Sequence, residues 1–277
     1  MKRRIKPSTL LLLPALVFVV IVFIAPVVIL LSEGFRQGHT WSVNGYASFF
    51  ADRLNQRVLV RTLRIGVLVT ATAAVFGYAT ALSIASLPPK MKGRMIVMVT
   101  VPLMISPVAR TYAWLVILAR QGLVNGALMQ AGLLRAPIRF LFTEQAIFIG
   151  LLQLLLPVMV LTLVSAVENL PKDAVAAARV LGATWLEVFW KIVLPLTCEG
   201  LVVGGTLVFT GALTAYITPA ILGGSKVLML ETLLYQDVSV ANDIASASIV
   251  AFIIVFLGVA ANFGLRSLAT GKSERSR

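Results

Sequence analysis

Five stretches of this chain run for 22 residues or more without a charged side chain: Pro7 to Ser32, Ile65 to Pro89, Gln145 to Val167, Gly200 to Ser225 and Ile244 to Leu265. A sixth, Met95 to Ala119, is interrupted only by Arg110. A helix needs about 20 mostly apolar residues to cross the hydrocarbon of a bilayer. In lipid a lone segment can satisfy its backbone polar groups only internally, and the alternation expected of a barrel strand is absent, so each stretch must be helical. The expected fold class is an all-α integral membrane protein, one transmembrane domain over 1–277, with six helices at about 9–32, 64–88, 95–118, 145–167, 196–222 and 244–266.

Composition agrees. The chain is 59% hydrophobic and 13% charged, against about 45–50% and 25% in soluble domains. One His (His39) and one Cys (Cys198) leave no zinc or iron–sulfur ligand set, no Ser/His/Asp triad inside the spans and no disulfide, and no enzyme chemistry is expected. The net charge of +13 reads as basic loops on a membrane protein, with lipid and not nucleic acid as the medium it meets. Lys2, Arg3, Arg4 and Lys6 resemble the start of a signal peptide, but the apolar run that follows is too long for one, so a retained anchor is expected.

An even number of spans puts both termini on one side. That side carries fourteen Lys and Arg (the N-terminal four, Lys90, Lys92, Arg94, Lys172, Arg179, Lys191, Arg266, Lys272, Arg275 and Arg277) against nine on the other, five of which crowd Arg36 to Arg64. The richer side is expected to be cytoplasmic. Pro102, Pro107, Pro157 and Pro219 should kink or interrupt helices. Small residues in the second and fifth spans allow close helix packing.

The loop over 168–191 is too polar to cross a membrane. Its sequence predicts a helix opened by Pro171 and Asp173 and stopped at Gly182, then a second helix opened by a Thr184–Glu187 capping box and running into Pro195. The alanines of the first helix would give a partner close contact at little cost in side-chain entropy.

The spacing Ala177-Ala178-x3-Gly182-x9-Ile192-x-Leu194-Pro195 resembles the EAA motif of the permease subunits of bacterial ATP-binding cassette importers. Ala176 stands where that motif usually has Glu. The likeness extends toward the spermidine/putrescine branch through Tyr112, Trp114, Gly122-Leu-Val-Asn125, Leu156-Pro157 and Ala215-Tyr-Ile-Thr-Pro-Ala-Ile-Leu-Gly-Gly224, covering roughly residues 60 to 265. It implies a type I (MetI-like) permease fold in a bacterial inner membrane. Ala176, Ala177, Ala178, Gly182, Ile192, Leu194 and Pro195 would form the coupling surface for an ATPase. The implied partners are a second permease subunit, two ATPase subunits that use the ATP, and a periplasmic or extracytoplasmic solute-binding protein. No cofactor would be held by this chain. The implied cargo is a polyamine, with iron, sulfate, thiamine, opines and phosphonates as the alternatives that related permeases suggest. Trp114, Tyr216, Thr218, Tyr235 and Asp237 are the candidates for the cargo path.

Other charged positions leave two readings open. Arg110 either faces a cavity or a partner acid, or snorkels to the outer surface. Glu199 is an interfacial carboxylate or a cargo ligand. Asp237 and Asp243, beside Tyr235, are solvated loop charges or, for a cationic cargo, part of its site. Gly271-Lys272-Ser273 mimics the end of a phosphate-binding loop, but Arg266 occupies the place of its first glycine. A self-contained secondary transporter would need mid-span ion-coupling carboxylates and an inverted repeat, and neither is seen.

Overall fold

The computed structural model describes residues 13–37 and 40–273. Lys2, Arg3, Arg4, Lys6, His39, Arg275 and Arg277, used in the charge and ligand arguments above, lie outside them. In chain order the helices are α1 (Leu13–Glu33), α2 (Asn44–Ala51), α3 (Arg53–Ala85), α4 (Pro89–Met104), α5 (Pro107–Ile117), α6 (Leu123–Gln130) and α7 (Glu144–Glu168). They continue as α8 (Lys172–Val180), α9 (Trp185–Leu196), α10 (Cys198–Leu213), α11 (Ile217–Leu222), α12 (Leu230–Ser239) and α13 (Ile244–Ser273). Between α1 and α2 a ribbon of two short strands, β1 (Arg36–Gln37) and β2 (Thr40–Trp41), pairs antiparallel with Arg36 opposite Trp41. The ribbon is an addition to the all-helical expectation.

Among the described residues four helices are long and apolar enough to span a bilayer, α1, α3, α7 and α13, and two bent pairs raise this to six if each pair is one span. The expected third span is one of those pairs: α4 and α5 meet at 92°. Pro107 has no N–H to continue a helix and its ring pushes Ser106 into extended backbone, so α4 ends at Met104 and α5 starts afresh with proline in its first turn. The expected fifth span is also divided. It enters through α9, turns 70° at Thr197 into α10, and ends at Leu213. Residues expected to complete it form the separate short helix α11. Pro157, by contrast, is carried inside a continuous α7. The 33 residues of α3 make it about 50 Å long, well beyond the ~30 Å of hydrocarbon. Its first turns, with Arg53, Arg57, Arg61 and Arg64, therefore project beyond the apolar layer, which accounts for the crowding of basic residues there.

The chain forms two compact units. One comprises residues of Met1–Gln56 and Leu233–Ile253. In it Phe35, Tyr46 and Phe252 pack ring to ring, and Phe49, Ile249 and Val250 are buried. None of the apolar side chains of α1 is buried, so ahead of its half-covered last turn that helix is exposed to lipid or to another chain.

The other unit comprises Arg57–Thr232 and Ile254–Arg277. Its core joins Ile65, Val69 and Ala73 of α3, Ile147, Leu151, Met159 and Leu163 of α7, and Val208 and Ala212 of α10. The α7–α10 contact is close because Gly200 and Gly204 face Ala166 and Thr162 with no room for a side chain. Where no hydrophobic effect separates protein from lipid, close approach of this kind is what holds helices together. In the same unit α11 lies against both α5 and α7, and a Cβ on Gly150 would come within 2.6 Å of the Thr218 methyl.

Candidate functional site

The 168–191 segment is built from local rules. Asp173 lies in the first turn of α8 and Arg179 in its last, each suited to its end of the helix dipole. The helix stops in a Schellman motif. Gly182 takes φ +84°, its N–H donates to the Arg179 carbonyl, and that of Ala183 donates to the Ala178 carbonyl, both at 3.0 Å. The Thr184–Glu187 capping box then opens α9. The Thr184 backbone and hydroxyl, then Lys191, pull the Glu187 carboxyl below its usual range. The Arg179 guanidinium lies 5.3 Å from the centre of the Trp185 ring, tying the two helices together.

This hairpin sorts the expected coupling residues into two groups. Ala176, Ala177, Gly182 and Pro195 are exposed, and Ala178 is half-buried. Ile192 and Leu194 are half-buried, and Leu194 packs on the core with Phe189. Sequence reasoning missed the tip: Val180 and Leu181 are each 87% exposed. Two apolar residues just before a helix-stopping glycine were the available signal. Beside the tip, Ala176, Arg179 and Trp185 line a groove of about 650 Å³ that also holds the Lys92–Glu168 ion pair, 3.0 Å.

The expected path residues divide between the two units. Trp114, Tyr216 and Thr218 fall in the larger. Thr218 is buried, with its hydroxyl 3.2 Å from that of Thr111, which itself donates to the Pro107 carbonyl. One turn along α5, Trp114 donates to Gln153 at 3.4 Å. Tyr216 is half-buried at the break before α11. Tyr235 and Asp237 fall in the smaller unit, on α12. There Asp237 lines a cavity of about 400 Å³ with Asp52 and Asp243. Burial first, then the Asp243 charge, pushes the Asp237 carboxyl up. Hydrogen bonds from Ser246 hold Asp243 down.

Three further polar residues stand out in the structure, of which Glu144 alone went unnamed in the sequence reading. Glu144 opens α7 and pairs with Arg61 at 2.9 Å and with Arg64, so two of the nine basic residues on that side are neutralised within the chain. Buried Asn125 holds the 119–138 loop by bonding Ala119 and both backbone groups of Ile138. Arg110 buries Nε and Nη1 without a hydrogen-bond partner among the described residues. No cluster of three or more metal-ligating side chains occurs among the described residues.

Residues 7–272 match the family described as binding-protein-dependent transport system inner membrane component. The spermidine/putrescine transport system permease protein PotB of Salmonella typhimurium is 34% identical over 190 residues, 69% of this chain and 66% of that one, just under two thirds of its length. The protein of the same description from Haemophilus influenzae is 33% identical over 202 residues, 73% and 70% of the two chains. A chain in the crystal structure of a bacterial ABC transporter involved in the import of the acidic polysaccharide alginate superposes with a TM-score of 0.75 at 16% identity, covering 95% of this chain and 94% of that one. At that identity the likeness is one of fold. With the family profile spanning nearly the whole sequence, this chain belongs to the binding-protein-dependent transport system inner membrane components.

Proposed function

We propose that this chain is the permease subunit of a bacterial ATP-binding cassette importer for polyamines, with no catalytic chemistry of its own. The observation that carries the reading is the exposed hairpin α8–Gly182–α9, whose positive-φ turn and apolar tip find little cover among the described residues and suit a partner's groove. The cargo class rests on the similarity to permeases described as spermidine/putrescine transporters. The working assembly would be this chain with a second permease, two ATPase subunits and an extracytoplasmic solute-binding protein, with both termini of this chain cytoplasmic. ATP-driven closure of the ATPases would move the hairpin and switch the bundle between outward and inward access. Ala176, Ala177, Ala178 and Gly182, with Val180 and Leu181, would form the coupling surface. Ile192, Leu194 and Pro195 would transmit its motion into α10, and Trp114, Tyr216, Thr218, Tyr235 and Asp237 would line the path.

Arg110 favours a second reading, a cargo bearing an anion beside its amine, such as an opine or an aminophosphonate. Both are tested by uptake of labelled putrescine and spermidine in a strain without other polyamine importers. Dependence on this chain, and poor competition by anions, is expected. Unchanged uptake on deletion would overturn the polyamine reading, and competition by aminoalkyl phosphonates alone would move the second into its place.

A further inference from the structure

A groove of about 620 Å³ in the larger unit runs between the last turns of α7 and the start of α10, apart from the coupling and path residues assigned above. Glu199 is the only charged residue described along its walls. Most carboxylates of the chain are already committed: Glu33, Glu144, Glu168 and Glu187 to basic side chains, Asp52 and Asp243 to backbone amides. Glu199 has neither kind of partner among the described residues. Two further features make the groove attractive to a cation. It sits at the C-terminal end of a 25-residue helix whose own last turn has no basic residue, where the negative end of the helix dipole favours a cation. Asn169, the residue after α7, spends its side-chain N–H on the Ser165 carbonyl at 2.9 Å, which leaves its Oδ1 to accept.

The remaining walls define the shape of the ligand. Leu161 and Leu170 on one side and Leu196 and Val203 on the other are apolar. A bare metal ion gains nothing from such walls and asks for more oxygen ligands. A chain of methylenes ending in an ammonium uses both halves of the site. From this juxtaposition we propose that the groove holds a primary ammonium on a short aliphatic chain, with Glu199 as its counter-ion and Asn169 Oδ1 as a further acceptor. The inference rests on the permease reading for its meaning, a stopping place for soluble cargo at the end of the path next to the 168–191 hairpin. One solvent-reachable ion pair is weak, which suits a site that cargo must leave. An ethanolamine lipid headgroup carries the same ammonium, and the test separates the two.

The assembled complex is placed in phosphatidylglycerol vesicles free of ethanolamine lipid. Ser165→Cys in a Cys198→Ser background is then labelled with the cationic aminoethyl and the anionic sulfonatoethyl methanethiosulfonates. The cationic reagent should react faster, and Glu199→Gln should cut that preference about tenfold, the effect of removing a unit charge a few ångströms away. Putrescine should slow labelling and butyrate should not, and the protection should vanish in Glu199→Gln. Val203→Cys reports from the opposite wall should Ser165→Cys fail to assemble. A preference indifferent to Glu199, protection that survives Glu199→Gln, or protection only by added phosphatidylethanolamine would each overturn the proposal. Because labelling needs no transport, its outcome is independent of the cargo reading. A Glu199-dependent preference without putrescine uptake would sink the polyamine reading alone, and normal uptake with no such preference would sink the groove alone.

Discussion

The hydroxyl of Tyr78 on α3 donates to the hydroxyl of Thr197 at 2.9 Å, across 119 residues of sequence and at the point where α9 turns 70° into α10. Thr197 can accept because its own proton is committed to the Val193 carbonyl at 2.7 Å. Both residues are buried, and Phe189 stacks edge-on to the Tyr78 ring. The bend that follows the 168–191 hairpin is thus fastened to the longest helix among the described residues.

Tyr78→Phe keeps the ring and loses only this bond. It should destabilise the purified complex by about 1 kcal/mol, a fall of roughly 2–4 °C in thermal midpoint for a protein of this size. Thr197→Val should cost more, since the buried Tyr78 hydroxyl is left without its acceptor and the Val193 carbonyl keeps only the Thr197 backbone N–H, 2.9 Å, and Thr197→Ser should cost less. Equal midpoints for Tyr78→Phe and wild type, measured by thermal unfolding, would remove the bond from the account of the bend.

Gly182 and Leu181 separate conformation from contact at the hairpin tip. A Cβ on Gly182 would meet nothing within 4 Å, so only its φ of +84° resists substitution. Asn tolerates that region and should keep ATP hydrolysis coupled to uptake. Val should not, at a cost of about 1 kcal/mol or more and a rotated second helix. Leu181→Asp leaves the turn intact but would bury an unpaired charge in a partner's groove. ATPase co-purification should fall at least tenfold with Leu181→Asp, and normal co-purification would take the tip out of the coupling surface.

Asp237 gives a pH signature. Its carboxyl is held above the ordinary aspartate range, so the native state favours the protonated form. The resulting stability is complete below the unfolded value near pH 4 and is lost as pH rises through the folded one. Asp237→Asn should therefore match wild type near pH 4 and gain an advantage that grows toward pH 7, under about 1 kcal/mol after solvent screening. Midpoints of the two proteins measured across that range check it, and an advantage that is largest at low pH would show the sign to be wrong.

Orientation is read by single cysteines in a Cys198→Ser background. Those at Ser48, Gln130 and Ser239 should react with an impermeant thiol reagent in intact cells, and those at Ser86, Lys172 and Ser273 should not. The reversed pattern would turn the chain over in the membrane, and a mixed one would change the number of spans.

What the sequence by itself determined is what depends on neighbours within a turn of helix, or on the bilayer. A charge-free run must become a helix because lipid offers its backbone no other partner. Gly182 and the Thr184–Glu187 box announce a stop and a start because their hydrogen bonds close within five residues. Pro107 likewise announces a break, but not its 92° angle. That angle, the inward tuck of α11 between α5 and α7, the capture of Arg61 and Arg64 by Glu144, and the Tyr78–Thr197 bond join residues far apart in sequence. Each arises only when helices pack, and packing is chosen by shape complementarity along whole faces, which no local pattern encodes. The same packing turned Leu194 inward and left Leu181 bare, so the contact surface at the tip was decided by the tertiary structure.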